Sequence, residues 1–173
     1  MAKYVELRRH TDNEGDRLTE GGVRRALEIG HKLTGDYRVM VSSGAQRSTQ
    51  TLACFLAGLG EEVPGGVIVE EGLRSEREHE WRSAYQEAGS GELDALRRVA
   101  PRLVEEDSAA LGVALYRVFE LIGDEERALA VGHSPTNEAA VLGLTGEVVR
   151  SMSKGEGALV VLEPDGFRVE PLP

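Results

Sequence analysis

Cysteine occurs once in the 173 residues, at Cys54, so no internal disulfide is available and the chain reads as one suited to a reducing, cytoplasmic setting. Aromatic residues are few as well, at 5%. No apolar run approaches the roughly 20 residues that a membrane-spanning helix needs. The opening MAKYVELRRH carries no apolar stretch of the secretory-signal kind, so no membrane partner is expected. The four histidines are scattered, with no HExxH and no paired CxxC, which argues against a metal centre. Positive charge is in deficit, at a formal net −10, the wrong sign for a nucleic-acid partner. No GxGxxG follows an apolar run and no GxxxxGK occurs, which removes dinucleotide and P-loop cofactors. Lysine is scarce too: apart from Lys3, Lys32 and Lys154 the basic residues are all arginine, the side chain suited to forked contacts with phosphate.

What the chain does have is alternation. A chain of this length buries roughly 70% of its unfolded surface and suffices for one domain over residues 1–173. Tyr4-Val5-Glu6-Leu7 alternates as a strand and runs into Arg8-Arg9-His10; a polar loop follows, then a helix from about Thr19 to Leu33. Val39-Met40-Val41 is a short strand, and Ser43 with Gln46 three residues on has the form of a capping box opening a second helix. Val67-Ile68-Val69 is a third strand. Residues 75–121 read as mostly helical, broken near Gly89, Pro101 and Asp107, and form a helical cap segment at about 71–125. Ala128-Leu129-Ala130-Val131 is a fourth strand, ending at Gly132-His133, with Ser134-Pro135 opening a further helix. A terminal hairpin is expected around Pro164-Asp165-Gly166.

Strands alternating with helices predict an α/β fold, a mostly parallel central sheet with helices on both faces. Such sheets bind ligands beyond the carboxyl ends of their strands. Those ends carry Arg9 and His10, then Ser42 and Ser43 with Arg47 one turn into the next helix, then His133. Two imidazoles, two guanidinium groups and two helix N-termini at one sheet edge form a local cationic pocket for an anion. Elsewhere the expectations are plainer. His31 and His79 lie on exposed helix faces, Cys54 belongs to the core, and Trp81 and Tyr85 pack the cap onto the sheet.

The motifs at these ends resemble the histidine phosphatase superfamily, the phosphoglycerate mutase-like proteins. Leu7-Arg8-Arg9-His10-Thr11 is similar to its Arg-His-Gly, with Thr11 adding a Cβ and a hydroxyl where the family usually has glycine. Ser42-Ser43-Gly44-Ala45-Gln46-Arg47-Ser48-Thr49-Gln50-Thr51 is similar to its second motif, Ala130-Val131-Gly132-His133-Ser134 to its third, and Leu18-Thr19-Glu20-Gly21-Gly22 to the start of its first helix. The matches keep the family's order over residues 5–134.

That resemblance implies a phosphoglycerate mutase-like fold and a metal-independent phosphatase that needs no cofactor. His10 would be the nucleophile, with Arg9, Arg47 and His133 holding the phosphate oxygens. The family's acid falls in a Leu-x-Glu; here Leu73-Arg74-Ser75 is followed by Glu76, the expected proton donor, with Glu71 and Glu78 as the other candidates. The implied partner is a phosphorylated small molecule or a phosphohistidine protein. The alternatives to a phosphomonoesterase are a phosphohistidine protein phosphatase, a mutase-type phosphotransferase and a catalytically silent phosphate-binding module.

Overall fold

Apolar residues at alternate positions of the inner strands dictate how this chain layers. In the computed structural model, which describes residues 1–173, a six-stranded sheet has the order β5-β4-β6-β1-β7-β8. The strands β1 (Lys3–Arg9), β4 (Tyr37–Ser42), β5 (Val67–Val69) and β6 (Arg127–Gly132) run parallel, while β7 (Gly157–Glu163) and β8 (Gly166–Leu172) add an antiparallel edge. On β4, Val39 and Val41 face one side and Met40 the other, as the period of two requires. The first side packs Val5, Leu7, Ala128 and Ala130 against α3 (Glu78–Ala88), α4 (Leu93–Val99), α5 (Pro101–Glu120) and α6 (Thr136–Thr145). The second packs Met40, Leu129 and Val131 under α1 (Glu20–Lys32) and α2 (Gln46–Leu59). The predicted α/β architecture, with helices on both faces, is the one observed. No helix is long and apolar enough to cross a membrane.

Several local expectations are corrected. The polar loop after the first strand contains a small hairpin, β2 (Asn13–Glu14) with β3 (Arg17–Leu18). The helix predicted from Thr19 is α1, with the Thr19 hydroxyl accepting from the Gly22 N–H. Its Val23 is exposed, and the buried line runs through Gly22, Ala26, Ile29 and Gly30. Gly30 touches Gly58 of α2 so closely that a Cβ on it would lie 2.7 Å from the Phe55 carbonyl oxygen. The expected break at Asp107 is absent. α5 runs straight through it, because the carboxylate is satisfied from outside by Ser75 at 2.6 Å and by the Trp81 indole N–H. Cys54 is half-buried at the margin of the core rather than within it.

The capping box is the most instructive miss. Ala45 precedes α2 with no side-chain cap, and the Ser43 hydroxyl bonds across the sheet instead. The first N–H groups of α2, those of Gln46 and Arg47, donate to the Asp16 carboxylate, which arrives from the β2–β3 turn. A remote carboxylate therefore does what a local Ser–Gln pair was expected to do, and it brings negative charge to a helix N-terminus.

Candidate active site

The parallel ladder brings the strand-end residues together. The same period of two separates the neighbouring arginines at the end of β1. Arg8 turns to one face, buried with Glu6 at 3.1 Å and donating to the Gly155 carbonyl. Arg9 turns to the other, where it lines a cavity of about 290 Å³ with Arg47, Glu78, Trp81, Arg82 and His133. Arg9 Nη1 donates to the Met152 carbonyl at 2.9 Å, and its Nε is buried without a partner. Burial lowers the Arg9 pKa from its ordinary value, opposed by the negative charge of Glu138.

His10 follows directly and is 5% exposed. Its Nδ1 lies 2.8 Å from the Thr11 carbonyl oxygen. A carbonyl only accepts, so Nδ1 carries the proton and Nε2 keeps its lone pair. Burial first, then the charges of Arg47, Arg9 and Lys154, lower the His10 pKa to about 4 against the bond to Thr11, so the ring is neutral at pH 7. The Thr11 side chain points away from this chemistry. Its hydroxyl donates to the Gly22 carbonyl at 2.8 Å, and its backbone N–H donates to Thr51. The methyl and hydroxyl absent from a glycine therefore pin the turn to α1 and α2.

His133 ends β6. Its ring meets that of His10 edge to face, with centroids 5.4 Å apart. Nε2 lies 2.8 Å from the Ser43 hydroxyl and Nδ1 is buried without a partner. Burial, then Arg47 and His10, lower its pKa to about 3. The backbone N–H of His133 donates to Asn137 Oδ1, an oxygen that sits 2.4 Å from where a Cβ on Gly132 would be. Glycine at 132 is thus a matter of close approach.

Arg47, in the first turn of α2, is held by Asp16 at 2.8 Å and stands 3.8 Å from Glu78. Glu78 also accepts from Arg74 at 2.8 Å. Glu76, the expected proton donor, does not reach this cavity. It is exposed and lines a separate hollow with Glu71, Arg77 and Arg117. The physical reason is the turn: after the 3-10 segment Glu71–Leu73, the chain folds Ser75 inward to Asp107, and α3 then starts at Glu78 facing Arg47. Trp81 packs the cap as expected, whereas Tyr85 is exposed at the cavity mouth. Sequence reasoning also passed over Asp16 and Glu138. Asp16 could be found only through partners distant in the chain; Glu138 sits five residues past His133 on the next helix.

The fold is the phosphoglycerate mutase-like α/β fold that the motifs implied. No protein-family model and no curated protein matches the chain in sequence. Solved structures do match it in fold. Phosphoglycerate mutase from Bacillus anthracis superposes with a TM-score of 0.73 at 15% identity, covering 99% of this chain and 92% of that one. Phosphoserine phosphatase from Entamoeba histolytica, in complex with 3-phosphoglyceric acid, gives 0.73 at 16% identity over 99% and 97%. The protein histidine phosphatase SixA, complexed with tungstate, gives 0.61 at 19% identity over 98% and 96%.

Proposed function

We propose that this chain is a metal-independent phosphatase of the histidine phosphatase type, hydrolysing phosphomonoesters through a phosphohistidine at His10. The observation that carries the reading is the state of His10, just behind the cavity that Arg9, Arg47 and His133 line: neutral, fixed through Nδ1 to the Thr11 carbonyl, with its Nε2 lone pair left over, its ring against that of His133 and the charges of Arg47 and Arg9 acting on it. Nε2 attacks phosphorus, the ester P–O bond breaks, and the N–P bond forms. Arg9, Arg47 and His133 hold the non-bridging oxygens and stabilise their charge. The Ser43 hydroxyl donates to Ser48 at 3.0 Å and so accepts from His133 Nε2; His133 Nδ1, with no protein partner, donates to one of the phosphate oxygens once the bound dianion has drawn a proton onto the ring. A carboxylic acid protonates the departing oxygen, a contribution of about 10²–10⁴-fold. We assign it to Glu78, because Glu78 lines the cavity and Glu76 does not. Water then attacks phosphorus, gives a proton to the same carboxylate, and frees the imidazole.

The group carrying the phosphate meets Arg82 and Tyr85 at the mouth of the cavity. A phosphorylated small molecule fits that rim, and the likeness to phosphoserine phosphatase and SixA supports either a small ester or a protein-borne phosphohistidine. The test is hydrolysis of p-nitrophenyl phosphate, phosphorylated metabolites and a phosphohistidine protein in the presence of EDTA, with His10→Ala as control. Wild-type turnover that the control lacks, with an acid-labile, base-stable phosphoprotein on quenching, is the expected result. Turnover lost in EDTA, or anion binding with no turnover of any substrate, overturns the reading.

A further inference from the structure

Glu138 is fully buried, the third residue of α6, behind the pocket wall that Arg9 and His133 form. One of its oxygens accepts from the Ser134 hydroxyl and from the Met152 backbone N–H at 3.3 Å. The other has no partner, and neither has the buried Nε of Arg9. Met152 joins the two residues, since its carbonyl accepts from Arg9 Nη1 while its N–H donates to Glu138. Ser134, directly after His133, is the second residue this carboxyl holds. One carboxyl therefore supports both walls of the pocket.

We propose that Glu138 is a positioning residue that sets Arg9 and the turn after His133, and that anion binding in the pocket is coupled to protonation of its carboxyl. The inference rests on reading the pocket as an oxyanion site. The elements that α6 packs against carry Arg9 on β1, Asp107 on α5 and Glu71 in the 3-10 turn, and His133 ends β6 just before it. Arg9 is the charge that acts on Glu138, and Asp107 is occupied by Ser75 and Trp81. Burial raises the Glu138 carboxyl to about 7, partly offset by the bonds from Ser134 and Met152 and by Arg9. Ionised, it competes with a bound anion for Arg9; protonated, it leaves that guanidinium to the anion. A second negative charge in the pocket raises the carboxyl further. Affinity for a dianion is then highest below pH 7 and falls as pH rises through it.

Sulfate is the probe, because it stays a dianion across this range while phosphate titrates. Chemical-shift titrations at constant ionic strength from pH 5.5 to 8.5 should show sulfate binding roughly tenfold weaker at the alkaline end, the effect of about one pKa unit. His10→Ala should keep that limb, and Glu138→Gln, which retains an oxygen acceptor, should lose it. A flat wild-type profile, or a limb that survives in Glu138→Gln, overturns the proposal. A carbon-13 titration of the wild-type Glu138 carboxyl is independent of any variant: a midpoint near 7 that rises with sulfate is expected, and an ordinary glutamate midpoint overturns it. Sulfate that binds nowhere in the cavity removes the phosphatase reading along with it.

Discussion

The backbone N–H of His10 donates to the Gly132 carbonyl at 3.1 Å, closing the last rung between β1 and β6. That rung sets the two imidazoles, one residue beyond each strand, against each other at 5.4 Å. Parallel pairing aligns the carboxyl ends of neighbouring strands, so two residues 123 positions apart in the chain are held by the register of the sheet itself.

His10→Ala should lower turnover by at least about 10³-fold, since the other imidazole, His133, has its Nε2 engaged with Ser43 and cannot replace the lost nucleophile. Steady-state kinetics and a rapid alkaline quench, which preserves phosphohistidine, check this. Retained turnover would remove the covalent route.

Stability should fall in acid. Both histidines have folded pKa values depressed below the unfolded value, to about 4 and about 3. The unfolded chain therefore binds more protons as pH drops from about 6.5. The stabilisation is complete above that pH and is lost progressively down to about 4 and below. Sulfate, by favouring charged imidazoles in the pocket, should blunt the loss. Melting temperatures from pH 4 to 7.5, with and without sulfate at fixed ionic strength, test both halves.

Glu78→Gln should slow alkyl phosphates strongly and p-nitrophenyl phosphate far less, because nitrophenolate departs without a proton. Glu76→Gln should leave both unchanged. Equal losses on the two esters in Glu78→Gln would make its role one of position, through Arg47 and Arg74.

Asp16→Ala should cost about 0.5–2 kcal/mol of stability, the usual range for a lost helix cap. It should also raise KM, since Arg47 loses its nearest partner. Asp16→Asn keeps the acceptor for the α2 N–H groups and should recover most of the stability but not the KM. Denaturant melts and initial rates separate the two effects.

The strand-end residues were legible because a parallel α/β pattern has few solutions, and the carboxyl edge is common to all of them. Glu78 was not. Choosing it over Glu76 depends on one irregular turn at Leu73–Arg77, and a shift of two residues there exchanges the cavity for the hollow behind it. Ser43 shows the opposite failure. A local capping signal was present, but the hydroxyl is taken by His133, 90 residues away, and Asp16 fills the vacancy. Side chains with two suitors go to the buried one, and sequence spacing does not reveal it.

Trp81 is the only tryptophan, and it sits where α3 meets α5 with its indole N–H on Asp107 while lining the cavity. The tryptophan emission of this protein, excited beyond the tyrosine band, is therefore an optical label on the cap alone. Emission will move to the red when α3 lifts from α5 and wets the indole, even while the sheet and its circular dichroism stay intact. Occupancy of the pocket and opening of its roof can both be followed in unmodified protein.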